Sequence, residues 1–323
     1  MDYFDLNVGI LWADSKYTPW KENIDLSTVE RMGASLFELG CSVTILHMED
    51  LSDELADRLK TFDVLLNMCY GYREHSQADV AFWLDLHKVK HLSTSGRSQH
   101  QACNKLKVEH MCMDLNIPVP ISLVSPEEVN FSYYYIAKPN QGGCHRGIEI
   151  VPGEIVMDNW NYWRNNGFII QPYLTGREFT VGVMPNKLGN HFEAFEPIEI
   201  VPFPERDIYI AGQTFGSTQR LLKPDIEPEI SRTLKDIALK AHKMLHLEYY
   251  SRCDFRYHNG TCYLLDVNSM PNMHPQSSLY PAMLQESGIT VSEFMTRVLR
   301  RFLLLEYGKK VVEDLAINQV QRN

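Results

Sequence analysis

The chain has no CxxC pair. Its seven cysteines, at 41, 69, 103, 112, 144, 253 and 262, are odd in number and widely scattered, which excludes a disulfide frame or a zinc site and reads as reduced thiols of a cytoplasmic protein. The twelve histidines form no HExxH and no close Cys/His cluster, so a structural metal site of that kind is excluded as well. No uncharged stretch approaches the ~20 apolar residues of a membrane-spanning helix. The acidic opening MDYFDLNVGILWADSK has too short an apolar run for a secretory signal. Positive charge is also scarce. The formal net charge of −10 argues against nucleic acid as the main partner, because phosphate backbones need a basic surface. Neither GxGxxG nor GxxxxGK[ST] occurs, so the dinucleotide and P-loop readings fail. There is no internal repeat or low-complexity tract.

What is present suits a soluble globular protein of two or three domains, at 323 residues with 44% apolar and 22% charged content. The first part alternates strands and helices. VGILWA (8–13), SVTILHM (42–48) and FDVLLNM (62–68) are β-rich runs, and LSTVERMGASLFELG (26–40) has helical spacing and stops on Gly40. That order predicts a parallel sheet whose ligands sit at the carboxyl ends of the strands. A second region begins near Thr94. QHQACNKLKVEHMCMDL reads as one helix, NIPVPISLVS as an exit loop and short strand, and YYYIAKPNQGGCHRGIEIV as strand, glycine-rich loop, strand. The third region holds REFTVGVM, a long polar-rich span (202–224), helices over 229–245 and 291–307, and the strands SRCDFRY and CYLLDVN. The expected fold class is α/β (α+β), divided at 1–95, 96–177 and 178–323.

Three stretches could carry chemistry. In LLDVNSMPNMHPQSSLYP, Asp266 and Asn268 stand two apart on one strand and so share a face. Arg252 and Asp254 repeat that spacing on the preceding strand, across the turn signal His258-Asn259-Gly260-Thr261. The two pairs face each other only with a three-residue loop or a bulge; a strict two-residue Asn-Gly turn puts Asp254 and Asp266 on opposite faces. If they do face, two carboxylates and an amide oxygen suit Mg²⁺, and an arginine beside them suits a phosphoryl group or oxyanion. The alternative, a surface hairpin with a solvated polar face, stays open. In KPNQGGCHRG, Lys138 ends a strand before a loop with Gly142, Gly143 and Gly147, which could cradle phosphate, or could be an ordinary hairpin. Lys105 is a second candidate cation. In QPYLTGREFTVGV, Gln171 ends an apolar strand and Glu178 opens the next, so the link could present backbone groups to adenine and a carboxylate to ribose, or be a plain turn.

Taken in order, these features resemble the ATP-grasp fold, and most closely the D-alanine–D-alanine ligases and their relatives. IIQPYLTGREFTVGVM is similar to that family's linker, SRCDFRYHNGTCYLLDVNSMP to its magnesium strands, and SSLYPAMLQESGI to the segment that follows. The resemblance implies an ATP-grasp architecture of three subdomains with nucleotide held between the central and C-terminal ones. Lys105 and Lys138 would contact ATP phosphates under the 142–147 loop, with Gly142, Gly143, Cys144 and His145. Gln171 and Leu174 would meet adenine, and Glu178 the ribose. Asp254, Asp266 and Asn268 would bind two Mg²⁺. Arg252 would face the acyl phosphate, the Asn272 amide would sit in the oxyanion hole, and Ser278 would hold the second substrate's carboxylate. A homodimer is the family's expected assembly, and a small-molecule acid and amine its partners.

The chain departs from the family mainly on the substrate side. Cys144 and His145 replace two serines, the lid near 210–215 lacks the lysine and tyrosine, the first loop offers only Glu22 or Asn23, and the second loop's histidine–glycine pair reads Tyr70-Gly71. Asp266 replaces Glu, Gln171-Pro172 replaces Glu-Lys, and Asn272 replaces a Gly, a change eased by the tolerance of Asn for left-handed φ. This pattern predicts an ATP-dependent carboxylate–amine ligase, peptide-bond-forming or cyclising, whose substrates are not two D-alanines. The alternatives are a D-alanine–D-alanine ligase of cell-wall synthesis and a catalytically silent ATP-binding regulator; the retained Arg252, Asp254, Asp266 and Asn268 count against the regulator.

Overall fold

The computed structural model describes residues 4–14, 24–142, 147–202, 218–221, 224–276 and 278–308. The N-terminal part builds the expected parallel sheet. β1 (Asn7–Trp12), β2 (Ser42–His47) and β3 (Val64–Met68) lie in the order β2-β1-β3, with Val8 beside both Val43 and Val64. The crossovers are α1 (Leu26–Glu38) and α2 (Asp53–Leu59). Asp25 caps α1, accepting from the Thr28 amide, and Ser52 caps α2 from the Leu55 amide. Beyond β3 come the small hairpin β4 (Gly71–Tyr72) and β5 (His75–Ser76), then α3 (Gln77–Leu86), which opens on a Ser76/Asp79 capping box.

The helix expected over 99–115 is two helices, α4 (Gly96–Cys103) and α5 (Lys105–Asp114). Asn104 breaks them. Its backbone is extended and its side chain accepts from the Lys107 amide, so a polar residue with strong capping preference interrupts an otherwise helical pattern. The short strand expected within 116–125 is absent. That stretch is pinned by single bonds instead, Leu123 N–H to Ile170 O at 2.8 Å and Leu264 N–H to Pro118 O at 2.9 Å.

Two further sheets form the walls of a cleft. The first is antiparallel, order β7-β6-β8, from β6 (Tyr134–Pro139), β7 (Glu149–Pro152) and β8 (Phe168–Pro172). Helix α6 (Gly153–Asn165) covers one face by packing Val156, Trp160 and Trp163 on Tyr135, Ala137 and Ile170. Strand alternation therefore sends Lys138 and Gln171 to the other face. The second sheet has six strands: β9 (Arg177–Pro185), β10 (Phe192–Ala194), β11 (Ile198–Pro202), β12 (Thr218–Leu221), β13 (Ser251–His258) and β14 (Thr261–Asn268). Its order is β12-β11-β9-β13-β14, with β10 also on β9. β12 falls within the span that reads as polar-rich in sequence. Helices α5 and α7 (Pro228–Met244) cover one face, burying Val108, Cys112, Leu234, Ile237 and Ala238 against Phe179, Val181, Cys253, Phe255 and Leu264. The chain closes with α8 (Leu279–Glu286) and α9 (Val291–Tyr307), whose apolar residues share one core with β1, α1 and β3. Among the described residues no helix is long and apolar enough to cross a membrane.

Candidate active site

The site's geometry follows from one strand ladder. β13 and β14 join through Asn259-Gly260, both at positive φ (47° and 80°), with His258 paired to Thr261. This is the tight two-residue turn that Asn-Gly favours. Continued regularly, its register would set Asp254 opposite Leu265 and turn Asp266 to the apolar side. A bulge prevents this. Phe255 pairs with Leu264 but Asp254 pairs with Asp266, and Arg252 with Asn268. Of the two devices that could make the pairs face each other, the chain uses the bulge, and the longer loop is absent.

On β9, Glu178 lies opposite Arg256 and Thr180 opposite Asp254. The polar face of this wall thus carries Glu178, Thr180, Arg252, Asp254, Arg256, Asp266 and Asn268, while Phe179, Val181, Cys253, Phe255 and Val267 fill the core behind it. Period-two spacing from Glu178 and Asp254 would have pointed to Thr180 and Arg256, which the motif reading passed over.

The charges on this wall satisfy one another. Arg252 donates to Asp254 twice, Nε to Oδ1 at 3.0 Å and Nη2 to Oδ2 at 2.9 Å. Thr180 Oγ1 adds a bond to Oδ1 at 2.7 Å, and Asn268 Nδ2 one to Oδ2 at 3.1 Å. Each carboxylate oxygen of Asp254 therefore accepts two hydrogen bonds, which fills its lone-pair directions. Arg256 binds Glu178 Oε2 at 2.8 Å and Gly176 O at 3.0 Å. Burial raises the Glu178 pKa, and Arg256 opposes that shift. Asp266 accepts the Val267 amide on Oδ1 at 3.0 Å.

The opposite wall is different. Lys138 is buried, and burial together with the neighbouring Lys105 pushes its pKa down to about 8, against the opposing pull of Asp266 and Glu109. Asp266 across the cleft is thus within electrostatic reach of Lys138. Lys105 opens α5 and donates from Nζ to Gly142 O at 2.8 Å, while Asn140 accepts the amides of Lys105 and Leu106 through its carbonyl and side chain. Gly142 has φ 116°, which favours glycine. Gly143, Cys144 and His145, like Glu22, Asn23 and the lid at 210–215, lie outside the described residues.

Gln171 sits on the cleft face, but its side chain turns into the protein. Its Nε2 approaches Pro120 O (2.8 Å), Glu109 Oε2 (3.0 Å) and Ser122 Oγ (3.2 Å), and its Oε1 is buried with no partner among the described residues. Glu109 holds this cluster by accepting the Ser122 amide and hydroxyl at 2.9 and 2.6 Å. Leu174 is half-buried in the link between β8 and β9.

The loop after β14 carries Asn272 and Ser278. Asn272 is not among the residues with positive φ, so the tolerance of Asn for left-handed backbone is not used here. Its side chain makes the turn instead, with Oδ1 accepting the His274 amide at 2.8 Å. Ser278 is buried just before α8, and its hydroxyl donates to the Asn272 carbonyl.

The donor set of the ladder suits a hard divalent cation. Asp254 and Asp266 stand directly opposite each other, and the Asn268 amide is bonded through its nitrogen, so its oxygen is the ligand it has to offer. Asp254 must exchange one of its four hydrogen bonds to join such a set. Among the described residues there is no group of three His, Cys, Asp or Glu that could hold a metal.

Comparison with known proteins agrees with this architecture. The family model described as D-ala D-ala ligase C-terminus matches residues 120–300. The D-alanine–D-alanine ligase of Thermotoga petrophila is 27% identical over 289 residues, covering 88% of this chain and 94% of the relative. The crystal structure of D-alanine–D-alanine ligase from Bacillus anthracis complexed with ATP superposes with a TM-score of 0.70 at 19% identity, over 96% of this chain and 99% of that one. The VanG D-Ala:D-Ser ligase from Enterococcus faecalis gives 0.69 at 14% identity, over 93% and 100%. The chain therefore belongs to the D-alanine–D-alanine ligase family, an ATP-dependent carbon–nitrogen ligase of the ATP-grasp fold.

Proposed function

We propose that this chain joins two molecules of D-alanine, releasing ADP and phosphate. The observation that carries this reading is its correspondence, over nearly the whole length of both chains, with a D-alanine–D-alanine ligase. A different acid and amine was the reading suggested by the altered substrate-side residues. Of these, Cys144, His145, Glu22, Asn23 and the 210–215 lid lie outside the described residues, while Tyr70 is described and donates to the Pro271 carbonyl.

In the proposed reaction one carboxylate oxygen attacks the γ-phosphorus of ATP, the bond to the bridging oxygen breaks, and ADP leaves. The amine of the second molecule then attacks the acyl carbon. The C–O bond to phosphate breaks, phosphate leaves, and the amine gives up its proton. Lys138 and Lys105 hold the phosphates from one wall of the cleft, and Glu178 and the 173–176 link hold ribose and adenine. Asp254, Asp266 and Asn268 would hold Mg²⁺, which would supply positive charge against the transferring phosphoryl group. Arg252 steadies the acyl phosphate once it exchanges Asp254 for that anion. The Asn272 amide donates to the oxyanion of the tetrahedral intermediate, and Ser278 orients the second carboxylate.

The test is product analysis. With Mg-ATP and D-alanine, ADP release should match the appearance of the dipeptide by mass spectrometry. ADP release that requires some other acid–amine pair, with no dipeptide from D-alanine, would restore the different-substrate reading. Bound ATP without any turnover would favour a silent regulator.

A further inference from the structure

The described residues between Ser269 and Ser278 form no helix or strand, yet the N-terminal part of the chain grips them at several points. Met270 and Met273 are 3% and 1% exposed and sit in the core formed with Ile24, Met32 and Tyr70. The buried Tyr70 hydroxyl donates to Pro271 O at 3.1 Å, and Arg31 Nη2 reaches Met273 O at 3.5 Å. His274 Nε2 lies 3.6 Å from the carboxylate of Asp25, the residue that caps α1.

A peptide group is planar, and in a trans peptide the carbonyl of one residue and the N–H of the next point in opposite directions. Among the described residues there are no cis peptide bonds. Holding the Pro271 carbonyl therefore fixes the direction of the Asn272 N–H, the donor assigned above to the oxyanion. Holding the Met273 carbonyl fixes the His274 N–H in the same way, and that N–H is bonded to the Asn272 side chain. We propose that Tyr70 is a positioning residue for acyl transfer: its hydroxyl aims the Asn272 amide at the developing oxyanion, and Arg31 secures the turn that follows. This rests on the ligase reading for the role of Asn272, while the clasp itself does not. Tyr70 stands where the resembled family has histidine.

The experiment compares the full-length protein with Tyr70→Phe, which keeps the ring and removes one oxygen, and with Arg31→Met. Three quantities are measured: amide hydrogen exchange across 270–276 without substrate, ATP affinity, and dipeptide formed per ADP released. For Tyr70→Phe we expect faster exchange in the loop, unchanged ATP affinity, and ligation roughly tenfold slower. Acyl phosphate still forms but is lost to water, so dipeptide per ADP falls below half. Arg31→Met should move the same quantities less. Wild-type exchange and wild-type coupling in Tyr70→Phe would overturn the proposal, as would equal losses of ATP affinity and ligation with a lowered Tm. If the wild type makes no dipeptide, the substrate reading has failed; loop exchange still decides the clasp, being accepted if faster in the variant and rejected if unchanged.

Discussion

The two walls of the cleft solve the same electrostatic problem in opposite ways. On the β9–β13–β14 wall two part-buried arginines each meet a carboxylate: Arg252 meets Asp254 two residues along β13, and Arg256 meets Glu178 on the neighbouring β9. On the β6–β8 wall, Lys138 is buried beside a second lysine, with carboxylates only at longer range. The first wall is complete without a ligand and must exchange partners to act. The second is incomplete without one, and a polyphosphate supplies what it lacks. In the proposed reading, binding ATP would relieve one wall and rearrange the other.

The largest effect expected from breaking this arrangement is at the ladder. Asp266→Ala removes the carboxylate that directly faces Asp254 and should cut turnover about 10³-fold or more, the scale seen when one electrostatic element of phosphoryl transfer is lost. Steady-state ADP release measures it, and a near-normal rate would remove Asp266 from the metal set. Next comes the self-satisfied pair. Arg256→Leu strands the Glu178 charge in a buried site and should cost about 3–5 kcal/mol in urea unfolding. Glu178→Gln in the same chain should recover much of that loss. Additive losses in the double variant would mean that the two side chains do not act as a pair.

Much of the wall could be read in the sequence, because strand alternation follows from residue order alone. Asp254, Asp266, Arg252 and Asn268 announced themselves by i, i+2 spacing, and Asn259-Gly260 announced the turn. What spacing could not decide was facing. That depended on a single bulged residue, Leu265, which has no composition signal of its own. The break at Asn104 was hidden for a similar reason, since a capping asparagine inside a helical pattern looks like a surface residue. The clasp on the 269–278 loop was invisible, because Tyr70 and Pro271 are brought together only by the tertiary fold, 201 positions apart in sequence. The partners of the Gln171 side chain were hidden on the same ground. Its partners Glu109, Pro120 and Ser122 come from another segment, and buried acceptors there outcompete the cleft.

The incomplete wall gives the two smaller effects. Lys138→Met removes a buried charge and keeps the stem. ATP affinity should fall about 10–100-fold, the worth of a charged hydrogen bond, while urea stability at pH 7 holds or rises. A stability loss matching the affinity loss would make Lys138 structural. The pH dependence sharpens the point with the native chain. The Lys138 pKa in the folded protein is about 8, below the ordinary 10.5, so the unfolded chain holds this proton more tightly. Between pH 8 and 10.5 the unfolded state binds more protons, so the contribution of this residue to stability rises with pH across that window. ATP affinity should run the other way. Phosphate needs the charged amine, so above pH 8 binding must first take up a proton, and the dissociation constant should climb toward tenfold per pH unit. Titration calorimetry at pH 8.5 in buffers of different ionisation enthalpy would show proton uptake by the wild type and none by Lys138→Met. Equal uptake in both would assign the proton to another group and leave Lys138 without its role as the cation that ATP completes.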